Sequence, residues 1–118
     1  MSTNKSFSTE TSERYSRALF EVSMESNELD KVEVDVKNFQ LILRSSLEIN
    51  NFFKDPTQSL NIQNEVVNVI THNLSLSKNL KNFLFLLIEK RRIFFLNKIF
   101  ENFLKFCSRK RGEMNASL

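Results

Sequence analysis

The sequence has 118 residues, of which 41% are hydrophobic and 26% are charged, a composition typical of one globular domain and not of a disordered or fibrous chain. It contains a single glycine and a single proline, which disfavours turn-rich β folds and a glycine-lined phosphate loop. The formal net charge of +3 is unevenly distributed, because residues 1–59 carry seven Lys/Arg against ten Asp/Glu and residues 60–118 carry ten against four.

The chain begins with a polar segment, residues 1–11, that is predicted to be a flexible arm. This segment is rich in Ser and Thr and lacks the apolar stretch of a signal peptide. The longest uninterrupted apolar run, Phe83 to Ile88, has six residues, whereas about 20 are needed to cross a bilayer. The sequence therefore predicts no membrane span and no direct membrane insertion.

Two amphipathic helices are predicted to follow the arm. Ser12 can cap the first helix, which is expected to end near Glu25. The second helix is expected to end near Arg44, with charged residues on its outer face. Residues at helical spacing mark the inner faces: Tyr15, Ala18, Leu19, Val22 and Ser23 in the first helix, and Leu29, Val32, Val36, Phe39 and Leu43 in the second.

Serine and proline punctuate the middle of the chain. The stretch Ser45-Ser46-Leu47-Glu48 fits a capping box, in which Ser45 starts a short third helix that runs through Phe53. Pro56 closes that helix, and Ser59 opens a fourth. The fourth helix is predicted to carry one apolar side formed by Ile62, Val66, Val69, Ile70 and Leu74.

The predicted fifth helix, capped by Ser77 and ending at Glu89, differs from the others. At 100° per residue, six consecutive apolar side chains cover its whole circumference, and such a helix is either central or docked against another surface. On the first helix, Tyr15, Ala18 and Val22 form a stripe at spacings i, i+3 and i+7. Side by side, the two stripes would form a groove for an amphipathic partner helix. The alternative is that both stripes belong to the core.

The last helix is predicted to begin at Ile93 and to end at Gly112, a residue that suits the position just after a helix. Its inner stripe is predicted to comprise Ile93, Leu96, Ile99, Phe100, Phe103 and Cys107. These elements predict an all-α fold, a compact six-helix bundle in one domain, residues 12–112. Residues 113–118 are then expected to start a linker.

The sequence offers few groups for chemistry, and no catalytic residue, metal site or cofactor is predicted. Cys107 is the only cysteine and His72 the only histidine, so a disulfide or a Cys/His zinc site cannot be assembled within the chain. Cys107 is interpreted as a small buried hydrophobe, and His72 as a solvated residue near a helix end. The carboxylate pairs Glu10/Glu13 and Glu33/Asp35 are assigned to solvent-facing surfaces.

Basic clusters at residues 90–92 and 109–111 leave an alternative function open. They are interpreted as solvated helix ends, where cations offset the helix dipole. A helical RNA-binding or adaptor module would instead use this basic second half to meet phosphates or an acidic partner. Against RNA binding, Phe100 and Phe103 lie at core spacing instead of forming an exposed stacking platform.

One string resembles a known family. Arg14 to Val22, which reads RYSRALFEV, resembles the opening R-Y-A-x-A-L-F-E-L of the delta subunit of F-type ATP synthases, the oligomycin-sensitivity-conferring protein of mitochondria. Further matches follow in order. Phe52 to Pro56 resembles the family's F-L-x-x-P, and Asn82 to Leu84 resembles its N-F-L. Lys90 to Ile93 resembles its corner N-G-R-L, with Arg91 in place of the glycine, and Arg111 to Glu113 resembles the end of its first domain.

The resemblance covers about residues 12–118 and implies an isolated N-terminal domain, a six-helix bundle. It implies a non-catalytic stator subunit of a proton-translocating ATP synthase, peripheral to the cytoplasmic face of the bacterial inner membrane. The family's C-terminal domain, which meets the peripheral-stalk b subunits, would be absent after Leu118. In the family, the first and fifth helices bind the N-terminal helix of an alpha subunit, and no nucleic-acid partner is expected. The residues implied to contact that helix are Tyr15, Ala18, Val22, Phe83, Leu86 and Lys90.

Overall fold

A computed structural model describes residues 7–115, which form six α-helices and contain no strand. Over this range the predicted all-α, six-helix bundle is confirmed. The helices are α1 (Phe7–Glu25), α2 (Leu29–Ser45), α3 (Leu47–Lys54), α4 (Leu60–Leu74), α5 (Lys78–Glu89) and α6 (Leu96–Asn115), and a 3₁₀ turn, Ile93–Phe95, leads into α6.

Helix α6 packs along α1 more extensively than any other two helices pack together. The buried side of α1 carries Ser12, Ser16 and Ser23 around Leu19. Because these serine side chains are small, they let the two helices approach closely. Two of the serine hydroxyls form hydrogen bonds within α1: Ser16 Oγ donates to the carbonyl of Ser12 at 2.8 Å, and Ser23 Oγ donates to the carbonyl of Leu19 at 2.7 Å. The inner stripe predicted for the last helix is confirmed as buried: Leu96, Ile99, Phe100, Phe103 and Cys107 lie on α6, and Ile93 lies in the 3₁₀ turn before it.

Serine side chains cap three of the helices. Ser59 and Ser77 cap α4 and α5 as predicted, accepting hydrogen bonds from the backbone N–H of Ile62 and Leu80. The predicted capping box at Ser45 is wrong: the cap of α3 is Ser46, whose Oγ accepts from the N–H of Ile49. Ser45 is still the last residue of α2. Ser46 has an extended backbone and separates the two helices.

Both ends of the predicted bundle differ from the structure. Helix α1 begins at Phe7 instead of Ser12, so the part of the predicted arm from residue 7 to 11 is helical, and residues 1–6 lie outside the described part. The Phe7 ring lies edge-on to Phe95 at 6.2 Å, a tertiary contact that favours the longer helix. The predicted end at Gly112 is also wrong, because α6 continues through this residue to Asn115. Residues 113–115 of the predicted linker are therefore helical, and residues 116–118 lie outside the described part.

The core-facing side of α4 agrees with the prediction in part. Ile70 is buried and Val66 and Leu74 pack against the core, but Ile62 and Val69 are exposed. The buried positions also include Gln63, Val67 and Thr71. The core-facing side of α4 is thus rotated from the predicted apolar side, and two of its buried members, Gln63 and Thr71, are polar.

Three helices end in a left-handed residue that is not glycine. Asn27, Ser75 and Arg91 have φ of 59°, 52° and 60°. After α5, the N–H of Arg91 donates to the carbonyl of Ile88 at 3.0 Å and that of Arg92 to Leu87 at 2.8 Å, which is a Schellman motif. The corner after α5 is therefore tight even though Arg91 stands where the resembled family has glycine.

Replacing Arg91 with glycine tests the strain at this corner. Because left-handed backbone costs residues with a Cβ about 1 kcal/mol more than glycine, Arg91→Gly is expected to be about 1 kcal/mol more stable than Arg91→Ala. Comparing these two variants cancels the loss of the hydrogen bond from Arg91 Nη1 to the carbonyl of Gln58 at 3.0 Å. Urea unfolding measures the difference, and equal stabilities would refute the strained corner.

Candidate partner-binding groove

Helices α1 and α5 lie side by side and run in opposite directions. The rings of Tyr15 and Phe83 meet edge to face at 6.4 Å. Toward the other end of the pair, Asn79 Nδ2 donates to Ser26 Oγ at 2.7 Å and to Glu28 Oε1 at 2.9 Å. Ser26 and Glu28 directly follow the end of α1, so this end of α1 lies beside the start of α5, whereas Tyr15 near its beginning meets Phe83 in the second half of α5. The two helices are therefore antiparallel.

An open groove of about 310 Å³ runs between the two helices. This groove is the feature that the two predicted stripes implied. It brings together four of the six predicted contact residues and two asparagines: Ala18, Val22, Asn79, Asn82, Phe83 and Leu86.

The four predicted residues occupy different depths. Phe83 is only 6% exposed and forms the floor, whereas Val22 and Leu86 are each 40% exposed and form opposite walls. Ala18 is also exposed, and its short side chain allows another backbone to approach α1 closely. The groove therefore presents aliphatic walls over an aromatic floor, a surface suited to the apolar face of a helix.

The other two predicted residues lie outside the lining. Tyr15 is half-buried against Phe83, and the guanidinium of Arg14 lies over its ring at 5.7 Å. Lys90 is the exposed C-cap of α5, four residues after Leu86. Both therefore belong to the same end of the α1/α5 pair.

The apolar circumference of α5 is largely covered by the bundle. Phe83, Leu84, Leu87 and Ile88 are buried, and Phe85 is half-buried and packs against the core. Leu86 alone among residues 83–88 is exposed. Most of this stretch is therefore core, and Leu86 is the side chain that faces the groove. The binding of a partner helix there stays a prediction.

Sequence reasoning missed Asn79 and Asn82 as lining residues. Asn79 lies four residues before Phe83, so helical spacing places it on the same face, and Asn82 lies four residues before Leu86. An apolar stripe does not identify these two residues, because both are polar.

The assignment of Glu33 and Asp35 to a solvent face is wrong. Asp35 is 1% exposed and accepts hydrogen bonds from the backbone N–H of Ser77 at 2.7 Å and from Lys31 Nζ at 2.8 Å. Glu33 is also buried and accepts from Arg111 Nη1 at 2.6 Å. Buried carboxylates are retained when such partners satisfy them.

These two carboxylates form separate structural contacts and do not share a site. Asp35 joins α2 to the start of α5, and Glu33 joins α2 to the last turns of α6. The hydrogen bond from Arg111 holds the pKa of Glu33 below its ordinary value against the opposing effect of burial. Glu33 therefore stays ionised at neutral pH. Among residues 7–115, no group of three His, Cys, Asp or Glu residues could hold a metal ion.

Cys107 is buried, as predicted. Burial, with a further contribution from the charge of Glu33, raises the pKa of its thiol to about 12. A thiol reagent at pH 8 is therefore expected to modify Cys107 only as fast as the domain opens, and denaturant should speed the reaction by orders of magnitude. Mass spectrometry follows the modification, and rapid labelling of the folded chain would contradict this burial.

Several basic side chains of the two clusters contact their own chain. Arg92 lies over the ring of Phe7 at 5.3 Å, Arg109 lies over the ring of Phe106 at 5.7 Å, and Arg111 pairs with Glu33. Phe100 and Phe103 have no exposed surface and cannot stack with bases. These contacts weigh against the RNA-binding alternative.

The part of the chain that the structure describes contains no helix long and apolar enough to cross a bilayer.

Other exposed apolar side chains lie away from the groove, on α2, α3 and α4: Val34, Leu41, Leu47, Ile62 and Val69.

Comparison with known proteins identifies the family. Residues 11–118 match the family described as ATP synthase delta (OSCP) subunit. The chain is 39% identical over 118 residues to ATP synthase subunit delta of Pelagibacter ubique, a match that covers 100% of this chain and 64% of that protein. Matches of 31% and 30% identity over 106 residues to the delta subunits of Rhizobium etli and Paramagnetospirillum magneticum cover 90% of this chain and 56% and 58% of those proteins. The chain thus spans less than two thirds of the length of these relatives, and it belongs to the ATP synthase delta (OSCP) subunit family.

Proposed function

We propose that this chain is the N-terminal domain of a non-catalytic stator subunit of a proton-translocating F-type ATP synthase. Family membership supports this role, as does the coverage of 64%, 56% and 58% of three relatives named ATP synthase subunit delta. In this proposal the domain holds the catalytic head against the torque of the rotor, so that proton flow drives ATP synthesis. Its contribution is a binding surface, with no cofactor.

The proposed partner is the N-terminal helix of an alpha subunit, bound in the groove between α1 and α5. The observation that carries the proposal is the groove itself, with Val22 and Leu86 exposed on opposite walls above the buried Phe83. A helix laid between these walls would cover both side chains and remove apolar surface from water. Ala18 leaves room for the backbone of that helix.

The remaining predicted residues take supporting roles in this proposal. Tyr15 stiffens the groove at one end through its contact with Phe83. Lys90, which is exposed, acts as a rim charge that adjusts the association rate and orientation more than the affinity. Truncating Leu86, which removes a wall, or Tyr15, which removes the support of Phe83, should therefore weaken binding more than truncating Lys90.

A stator must also be anchored at the membrane end of the complex. We assign that contact to the family's C-terminal domain, which would meet the peripheral-stalk b subunits. The domain described here would then be peripheral to the cytoplasmic face of the bacterial inner membrane, held there by the assembled synthase.

Calorimetric titration with a synthetic peptide of the alpha-subunit N-terminus from the same organism tests the proposal. Leu86→Ala should weaken binding by about 1 to 2 kcal/mol, or roughly 5- to 30-fold in Kd, because it removes one exposed wall of the groove. Leu47→Ala is the matched control, since Leu47 is 72% exposed on α3 and lies outside the groove. Absence of binding by the folded wild-type chain, or equal losses in the two variants, would reject the groove as the site.

A further inference from the structure

A second groove lies between α4 and α5, on a different side of α5 from the groove that faces α1. It consists of two open spaces of about 510 Å³ each, and these adjoin because Asn68 lines both. The residues that line it differ from those that line the groove between α1 and α5. The second groove is therefore a separate surface with its own chemistry.

One end of the second groove is apolar and the other is basic. Leu60, at the start of α4, lines the first space with Phe85 and Ile88 from the second half of α5. Ile88 is 1% exposed and forms the floor, and Phe85 is half-buried beside it. His72 and Lys81 line the second space, and both are exposed. An aliphatic side chain can thus be covered at the first end, and a carboxylate can meet the ammonium of Lys81 at the second.

Neighbouring carboxylates do not cancel the positive charge of the basic end. In the described part of the chain, no Asp or Glu lines this space. Asp35, which contacts the start of α5, is paired with Lys31 at 2.8 Å. Glu28 is hydrogen-bonded on the side of α5 that faces α1. Lys78, one turn before Lys81, is exposed and adds to the positive charge.

The other charges near the second groove lie farther from its basic end. Glu89 lines the apolar end, eight residues after Lys81 on α5, and a helix rises about 12 Å over that length. This separation exceeds the screening length of about 10 Å at 0.1 M salt. Lys90 and Arg91 directly follow Glu89, and Glu65 lines a different space, between α3 and α4. The lysines of the basic end are therefore the charges that an incoming segment meets there.

Two asparagines one turn apart, Asn64 and Asn68, lie between the two ends of the second groove. Neither side-chain amide is hydrogen-bonded to another residue in the described part of the chain. A carboxamide carries both a donor and an acceptor, so it can pair with the N–H and the C=O of a peptide backbone. A helix uses these backbone groups internally, whereas an extended segment presents them to its neighbour. The two asparagines therefore favour an extended partner over a helical one.

We propose that the second groove binds an extended segment of another protein chain, with an aliphatic side chain at one end and a carboxylate at the other. The aliphatic side chain lies on Phe85 and Ile88. The backbone pairs with Asn64 and Asn68, and the carboxylate lies beside Lys81.

The length of the second groove determines how long this segment is. The wall formed by α4 rises about 18 Å from Leu60 to His72, and an extended chain covers about 3.3 Å per residue. A segment of about six residues therefore fills the groove. This site does not depend on the proposed function, since its lining residues take no part in the groove between α1 and α5.

Titration of the ¹⁵N-labelled chain with a short peptide tests this site. The probe is a capped hexapeptide with leucine at one end, two aspartates at the other, and serine and threonine between them, and its reversed sequence is titrated separately. At least one of the two should shift the amide signals of Asn64, Asn68, Thr71 and Lys81, with a Kd of about 1 mM or below. Absence of saturable shifts with both peptides, or shifts confined to another face of the bundle, would overturn the proposal.

Two matched pairs of variants measure the contributions of the asparagine and the lysine. Asn68→Ala should weaken peptide binding about fivefold, whereas Asn73→Ala, at an exposed position of α4 outside the groove, should leave it unchanged. Lys81→Glu should weaken binding about tenfold at low salt, and a peptide with lysines in place of its aspartates should restore it. Lys98→Glu, an exposed reversal on α6, is the control for net charge. Equal losses within either pair, or no restoration by the lysine peptide, would contradict the proposed contacts.

Discussion

Ala18→Trp is expected to reduce binding of the alpha-subunit peptide by 100-fold or more, roughly 3 kcal/mol. Ala18 is exposed and lines a groove of about 310 Å³, so an indole at this position would occupy much of the space that the partner backbone needs. Because the side chain points away from the core, the fold should tolerate it. Calorimetry measures the affinity, and circular dichroism checks that helix content is unchanged.

A second tryptophan variant separates steric blockage from a general effect of adding an apolar side chain. Asn51→Trp places the same side chain at an exposed position on α3, outside the groove. It should bind the peptide as the wild type does. Full binding by Ala18→Trp would show that the partner does not occupy the space above Ala18.

Phe39→Ala is expected to lower the free energy of unfolding by about 3 to 5 kcal/mol, because it leaves a cavity at the centre of the bundle. The ring of Phe39 is fully buried and meets those of Phe100 at 5.5 Å and Phe53 at 5.9 Å. One side chain thus joins α2, α3 and α6. For a domain whose total stability is about 5 to 15 kcal/mol, this loss approaches complete unfolding.

Urea unfolding measures the cost, with Leu47→Ala as the comparison. Leu47 is mostly exposed, so its truncation should change stability by less than about 0.5 kcal/mol. A loss below about 1 kcal/mol for Phe39→Ala would mean that the three rings do not form a shared core.

The sequence pattern predicted the helices better than their ends. Periodic apolar residues identified all six helices, and serine caps located the starts of α4 and α5, because both signals are local. Helix α1 begins before Ser12, where Phe7 contacts Phe95, a residue far away in sequence that a local pattern does not bring into view. The end of α6 could not be inferred from Gly112, since glycine is tolerated inside a helix at a modest cost.

The largest difference between prediction and structure is the burial of Glu33 and Asp35, which were predicted to face solvent. Asp35 can be buried because the backbone N–H of Ser77, 42 residues away, donates a hydrogen bond to its carboxylate. Glu33 can be buried because Arg111, 78 residues away, donates a hydrogen bond to the carboxylate of Glu33. The nearby Lys31 and Lys37 instead indicated a solvent-exposed charged surface. Only the tertiary structure brings the distant donors to these carboxylates.

The sequence predicted which two helices form the groove, but not which side chains form its floor and its walls. The stripe on α1 and the apolar circumference of α5 indicated which helices form it. The structure shows that Phe83 is its floor and Leu86 its wall, a distinction that depends on how α5 is rotated against its neighbours. Asn79 and Asn82 complete the lining and give it a polar side that apolar patterning does not reveal.

The most direct test of the account is a map of the amide chemical shifts that change when the alpha-subunit peptide is added to the ¹⁵N-labelled chain. The account predicts that the changes lie on the facing sides of α1 and α5, around Ala18, Val22, Asn82 and Leu86. Changes concentrated instead on the other exposed apolar side chains, around Leu47, Ile62 and Val69 on α3 and α4, would contradict it.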